Sequence, residues 1–288
     1  MTRARWIALA VFAAGLIGGT LAPAAAVAGR VPTRFGEYWI LAVDFHVHAF
    51  PGDGALAPWL VRDEAARAGL DAFVVTNHNR VSTARAARWL AGDSPGPLVI
   101  VGEEVTARGF HITAAGIEER VDWTRGPAAA IREIRAQGGA AIANHPGRDY
   151  WEGWTDEAVS MLDGYERAHP SMRRPTYAAD FAAFSARASR LNPGIAAVGS
   201  SDVHAGGTPG WCRTWVLARE HSAAGVIAAV RDGRTVAVDM NGRLYGSPEA
   251  IGIVTVSGVQ PATRPRAGVW QHLAVAAACL GLLGLALL

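Results

Sequence analysis

Between residues 36 and 258, short apolar runs alternate with stretches whose apolar positions recur three and four residues apart. The runs at 40–46, 72–76, 98–102, 140–143 and 196–199 read as strands, and the stretches at 58–68, 83–90, 128–136, 177–190 and 223–231 as helices. Glycine follows several of these helices, as in Ala68-Gly69, Gln137-Gly138-Gly139 and Asp232-Gly233, where a left-handed residue ends a helix with little strain. The alternation implies parallel strands covered by helices, either a barrel or a doubly wound sheet. His46, His48, His78, Glu104, His145, Asp202 and His204 all sit at or just after the end of an apolar run. Gathering many strand ends around one centre favours the β/α barrel.

The two ends of the chain follow another pattern. Arg3 and Arg5 precede an uncharged stretch that closes on Ala26-Val27-Ala28, so 1–28 reads as a signal peptide, or as an N-terminal anchor if uncleaved. Residues 268–288 carry no charge and are numerous enough to cross a bilayer, which predicts a C-terminal transmembrane segment. The expected location is the extracytoplasmic side of a membrane, or outside the cell if the tail does not anchor.

Composition narrows the chemistry. The 288 residues leave room for one domain of ordinary size, here 36–258, and none for a second enzyme. All 27 basic residues are arginine, which excludes a lysine Schiff base. A net charge of +2 without a basic stripe gives no nucleic-acid surface. Cys212 and Cys279 cannot build a disulfide framework, and no Gly-x-Ser-x-Gly elbow supplies a nucleophile.

What remains is a set of histidines and acids. In Asp44-Phe45-His46-Val47-His48, residues two apart share a strand face, so Asp44, His46 and His48 are expected to project together. Asp202-Val203-His204 repeats the spacing at the far end of the domain. Histidine and carboxylate donors without cysteine suit zinc, manganese or iron, and metal-activated water hydrolyses without a protein nucleophile.

The string His46-Val47-His48-Ala49-Phe50-Pro51-Gly52-Asp53-Gly54 resembles the opening of the PHP (polymerase and histidinol phosphatase) superfamily. The likeness continues in order through Val74-Val75-Thr76-Asn77-His78-Asn79, Gly102-Glu103-Glu104-Val105-Thr106, Ala143-Asn144-His145-Pro146 and Gly199-Ser200-Ser201-Asp202-Val203-His204. Within the superfamily, Gly109-Phe110-His111 and Leu244-Tyr245-Gly246 are similar to the carbaryl-hydrolase (CehA/McbA-like) branch. The resemblance implies a distorted seven-stranded β/α barrel holding two or three divalent metal ions. By position, His46, His48, Glu104 and Asp202 would bind one metal, Glu104, His111 and His145 a second, and Asp53, His78 and His204 a third. Glu104 would bridge, with a metal-bound hydroxide as nucleophile. Glu103 is assigned to a structural role or to supporting a ligand, and Asp44 to orienting a histidine or closing the strand end. Asn77 stands where the family usually has an acid, which would weaken the third metal.

Arg80, Arg148, Arg213 and His169 are candidates for binding the substrate, and Glu166 follows another strand end near the mouth. Trp151, Trp154 and Trp211 either wall the cleft or pack the rim. The implied activity is phosphoester hydrolysis of a small molecule. Hydrolysis of a carbamate or carboxylic ester, and metal binding without catalysis, are the alternatives.

Overall fold

The computed structural model describes residues 2–21, 30–204, 208–259, 276–277, 280–285 and 287. Helix α1 (Arg3–Leu21) precedes a short strand β1 (Thr33–Phe35), and the first half of the domain then runs β2 (Tyr38–Val47), α2 (Pro58–Arg67), β3 (Ala72–Val75), α3 (Ser82–Ala91), β4 (Leu98–Ala107), β5 (Phe110–Ala115) and α4 (Pro127–Ala136). The second half runs β6 (Ala140–Ala143), α5 (Asp156–Ser160), β7 (Gly164–Ala168), α6 (Pro175–Leu191), β8 (Ala196–Gly199), β9 (Arg213–Ala218), α7 (Ala223–Arg231), β10 (Thr235–Val238), β11 (Leu244–Gly246) and α8 (Pro248–Val256).

All five expected strands and all five expected helices form, with ends shifted where the apolar pattern frays. Gly69, Gly138 and Gly233 take φ of +68°, +81° and +68°, as the sequence predicts for helix ends.

The strands form one sheet in the order β11-β10-β9-β2-β3-β4-β5-β6-β7-β8, with β1 on the edge of β2. The barrel therefore has 11 strands rather than seven, and it is not all parallel. Pairs β2–β3, β3–β4, β6–β7 and β7–β8 are parallel, whereas β5 enters antiparallel between β4 and β6. The β9–β10–β11 meander adds antiparallel strands beside β2.

The sheet nearly closes on itself where β8 reaches β9 and β10. Threonine hydroxyls bridge that seam: Thr214 Oγ1 donates to Gly199 O (2.9 Å) and accepts from Gly199 N–H, while Thr235 Oγ1 donates to Ala197 O (2.9 Å). A Cβ on Gly199 would stand 2.2 Å from Arg213 O, so only glycine permits this approach.

Leu41, Val43, Phe45, Val74, Ile100, Ile142, Val198 and Val216 fill the barrel and meet Val226, Ile227 and Val230 of α7. A second apolar layer, including Ala42, Val47, Phe73, Val101 and Phe184, packs the outer face under the helices.

Strand β2 changes face between these layers. Its register against β3 shifts between Asp44 and Val47, a bulge with one extra residue on β2. Phe45 thus belongs to the interior, and so do the rings of His46 and His48, whereas Val47 joins the outer layer. The expectation that Asp44 projects with the two histidines is corrected: the bulge lies between them.

Among the described residues no helix is long and apolar enough to cross a membrane. The predicted transmembrane segment 268–288 falls largely outside the described residues. Its described Gly281 and Gly284 lie against Phe12 and Ala8 of α1.

Candidate metal centre

Each parallel strand delivers one or two polar side chains to the same end of the barrel. His46 and His48 come from the end of β2, His78 follows β3, Glu104 and His111 face each other from β4 and β5, His145 follows β6, Glu166 lies on β7, and Asp202 and His204 follow β8. Glu104 is the hub. Its Oε1 lies 2.8 Å from His111 Nδ1 and 3.0 Å from His145 Nε2, and Asn144 Nδ2 donates to it at 3.2 Å. Its Oε2 lies 2.8 Å from His78 Nδ1, 3.4 Å from His46 Nε2 and 3.6 Å from His48 Nε2.

Three groups of donors are close enough to share an ion. They are His46, His48 and Asp202; His46, Glu104 and His145; and His48, Asp53, His78 and His204. His111 touches Glu104 but lies outside these three groups.

The donor chemistry tests whether cations fit. Glu166 Oε1 accepts the Nδ1–H of His46 (3.0 Å) and Asp53 Oδ1 that of His48 (2.9 Å) when each ring is in that tautomer. Neutral imidazole then leaves a lone pair on each Nε2, and those two atoms stand 3.0 Å apart. Facing lone pairs repel unless a cation or proton lies between them. Glu104 Oε2 and Asp202 Oδ1 are moreover buried without a partner in hydrogen-bond geometry among the described residues, a costly state for a carboxylate that coordination relieves. Residues and metal therefore fit.

The electrostatics agree. Burial pushes the Glu104 carboxyl up, but His46, His111 and His145 outweigh it and hold the group well below the usual carboxylate range. Asp202 behaves likewise, with burial opposed by His46, His169 and His48. Burial lowers the His46 imidazole, yet Asp202, Glu104 and Glu166 raise it well above its ordinary value. The centre is anionic enough to draw positive charge onto itself.

Supporting residues fix the donors. Glu166 uses Oε1 on His46 and Oε2 on the backbone N–H of His145, so one carboxylate ties the ends of β2 and β6 together. That second bond matters because His145 has φ +24°, and Asp202 has φ +50°; both hold strained backbone at the centre. Thr106 Oγ1 meets His78 Nδ1 at 2.6 Å, and His204 Nδ1 donates to Asp202 O at 3.1 Å, leaving Nε2 of His204 3.2 Å from Asp53 Oδ2.

Several expected roles change. Of the two roles expected for Asp44 it takes the second: its carboxylate accepts the N–H groups of His46, Ser201 and Gly210, closing the strand end beside the seam, and it hydrogen-bonds no imidazole among the described residues. The Asn77 amide hydrogen-bonds neither His78 nor Asp53 among the described residues and pairs instead with both backbone groups of Ala49. Arg213 is not a substrate clamp: it is buried, its guanidinium donating to Gly210 O and Ala68 O, and burial lowers it to about 10. Arg148 is exposed but paired with Asp180 at 3.3 Å.

Arg80 is exposed beside His78, with no side-chain hydrogen bond or ion pair among the described residues. His169 does reach the centre, its Nε2 3.4 Å from Asp202 Oδ2. Trp154 packs between Phe110 and Phe184, Trp151 also packs against Phe184, and Trp211 lies under Arg173.

Tyr150 was not foreseen. Its ring lies 4.6 Å from that of His111 and 4.9 Å from that of His145, and burial raises its phenol. The signal available was the Pro146-Gly147 turn, which brings the chain back to the histidine it has just supplied.

No family model matches the chain. Over 82 residues, 26% of the chain, it is 37% identical to a phosphoribosyl 1,2-cyclic phosphate 1,2-diphosphodiesterase of Eggerthella lenta, and the match spans 31% of that relative's length. A two-domain protein from Bacteroides vulgatus containing a predicted PHP-like metal-dependent phosphoesterase superimposes with a TM-score of 0.62 at 24% identity, over 79% of this chain and 74% of that one. PsfC from Pseudomonas syringae superimposes with a TM-score of 0.50 at 18% identity, over 76% and 96%. The chain shares its fold with these two solved structures, in agreement with the motif order read from its sequence.

Proposed function

We propose that the chain is a metal-dependent phosphoesterase acting on a small molecule, with two or three divalent ions of zinc, manganese or iron. The observation that carries this reading is the buried Glu104 carboxylate, set among five imidazoles with its Oε2 close to three of them yet in hydrogen-bond geometry with none. The ligand sets are His46, His48, Glu104 and Asp202; Glu104, His111 and His145; and Asp53, His78 and His204. When bound, the ions supply an acidified water and neutralise charge on the phosphoryl oxygens. Glu166 keeps the His46 ring in one tautomer, and Asp53 does the same for His48. Tyr150 and His169 line the approach, and Arg80, exposed two residues after His78 and without a side-chain partner among the described residues, offers its guanidinium to a phosphate oxygen.

The chemistry named for the Eggerthella lenta relative supports phosphodiesters as the first substrates to try. The N-terminal arginines and the small residues at 26–28 support a site of action outside the cytoplasm.

The test compares a phosphomonoester, a phosphodiester and an aryl carbamate on one metal-loaded preparation. Turnover of a phosphoester is expected. Turnover of the carbamate with neither phosphoester cleaved contradicts the proposal.

A further inference from the structure

Glu166 faces the metal centre, and its two neighbours on β7, Tyr165 and Arg167, open onto a cavity of about 750 Å³ on the outer side of the barrel. The cavity lies over the seam where β8 meets β10, between α6 and α8. Its volume falls within the range of roughly 300–1,000 Å³ that small-molecule sites occupy. None of its lining residues belongs to the metal centre.

The wall carries one uncompensated cation. Arg167 makes no ion pair or hydrogen bond among the described residues, and its Nη1 is buried without a partner. Its guanidinium lies 4.0 Å over the ring of Tyr245, whose hydroxyl donates to Asp239 at 3.1 Å and so fixes the platform. Stacking orients the guanidinium without neutralising it. The other arginine in the wall, Arg234, is already paired with Asp232 at 3.0 Å. Glu249 is the remaining lining acid, and it is exposed at the first turn of α8.

The rest of the wall combines hydroxyls, from Ser185, Ser189, Thr235 and Ser247, with flat and aliphatic side chains. Tyr38 and Tyr165 contribute rings, the latter held by a 2.7 Å bond from its hydroxyl to Ser185, and Ile251 and Ile253 of α8 form the opposite side. One fixed guanidinium matches one negative charge, and the rings and isoleucines match a planar hydrocarbon body.

We propose that this cavity is a second binding site, for a small aromatic carboxylate whose carboxylate meets Arg167 and whose ring lies between the tyrosines and α8. The reading is independent of the metal centre and of the reaction there.

Cinnamate and its uncharged amide, cinnamamide, are suitable probes, titrated calorimetrically into the full-length, metal-loaded protein. Cinnamate binds the wild type, and binding weakens at least about tenfold in Arg167→Met, the loss of a charge-assisted pair. Cinnamamide binds the wild type correspondingly weakly. Ser189→Trp, at an exposed position of α6 in the cavity wall, keeps Arg167 and its stack but fills the space, and it also abolishes binding. If cinnamate does not bind the wild type, or binds Ser189→Trp and Arg167→Met as well as the wild type, the proposal is overturned. The second result would assign the carboxylate to the metal centre or to the surface.

Discussion

The inner and outer faces of the barrel wall treat neighbouring acids in opposite ways. Glu103 and Glu104 are adjacent on β4 and both fully buried. Glu104 points to the mouth, where histidines outweigh burial and keep it ionised. Glu103 points outward, accepts the N–H of Val121, and is pushed by burial up to about 7. Strand β7 repeats the contrast, with Glu166 tying the ends of β2 and β6 together on the inside and Arg167 stacked on Tyr245 outside. The lesson is that burial alone does not set the charge of an acid here. What sets it is whether the alternation of the strand aims the group at the gathered imidazoles.

The contrast is most open to breaking by substituting each glutamate in turn. Glu104→Gln removes the shared carboxylate, and phosphoester turnover should fall by about 10³-fold or more. Glu103→Gln keeps its acceptor for Val121 and should leave turnover within a few-fold of wild type. Equal losses in steady-state assays would mean that the two faces are not distinct.

The next effect is on stability. Below about pH 4.5 both Glu103 and a glutamine in its place are neutral, and the variants should match. As pH rises toward 7, the unfolded wild type releases a proton that the folded chain retains, so folding loses stability across that window. Glu103→Gln has no such proton and should be more stable than wild type by about 3 kcal/mol at pH 8. Denaturant melts at a series of pH values measure the difference. A gap that stays flat with pH would contradict the assignment.

A smaller effect tests Glu166. Glutamine cannot accept from both His46 and the His145 N–H, because one of its two positions becomes a donor. Metal affinity, read by competition with a chelator, should weaken roughly 10- to 100-fold. An unchanged affinity would remove Glu166 from the support of the centre.

Much of this was legible in the chain. Strands buried on both faces announce themselves as apolar runs, and the order of the histidine and acid motifs fixes which strand ends meet. The antiparallel additions were not legible for a physical reason. Strand β9 opens on the buried but polar Arg213-Thr214, which shortens its apolar run to Trp215–Ala218, and β11 spans only three residues, so each leaves a faint signal. The bulge after Asp44 is also invisible to a period-two pattern, since one extra residue changes the face without changing the sequence signal. Arg213 looked like a phosphate clamp because sequence does not reveal that backbone carbonyls of Gly210 and Ala68 claim it first.

The central claim, that the Glu104 centre works through bound metal, is tested most directly by measuring metal content and phosphodiester turnover on one sample of the full chain, before and after chelation. The account predicts two or more equivalents of divalent metal, loss of turnover as the metal leaves, and recovery when it is restored. Turnover that persists in metal-free protein would contradict it.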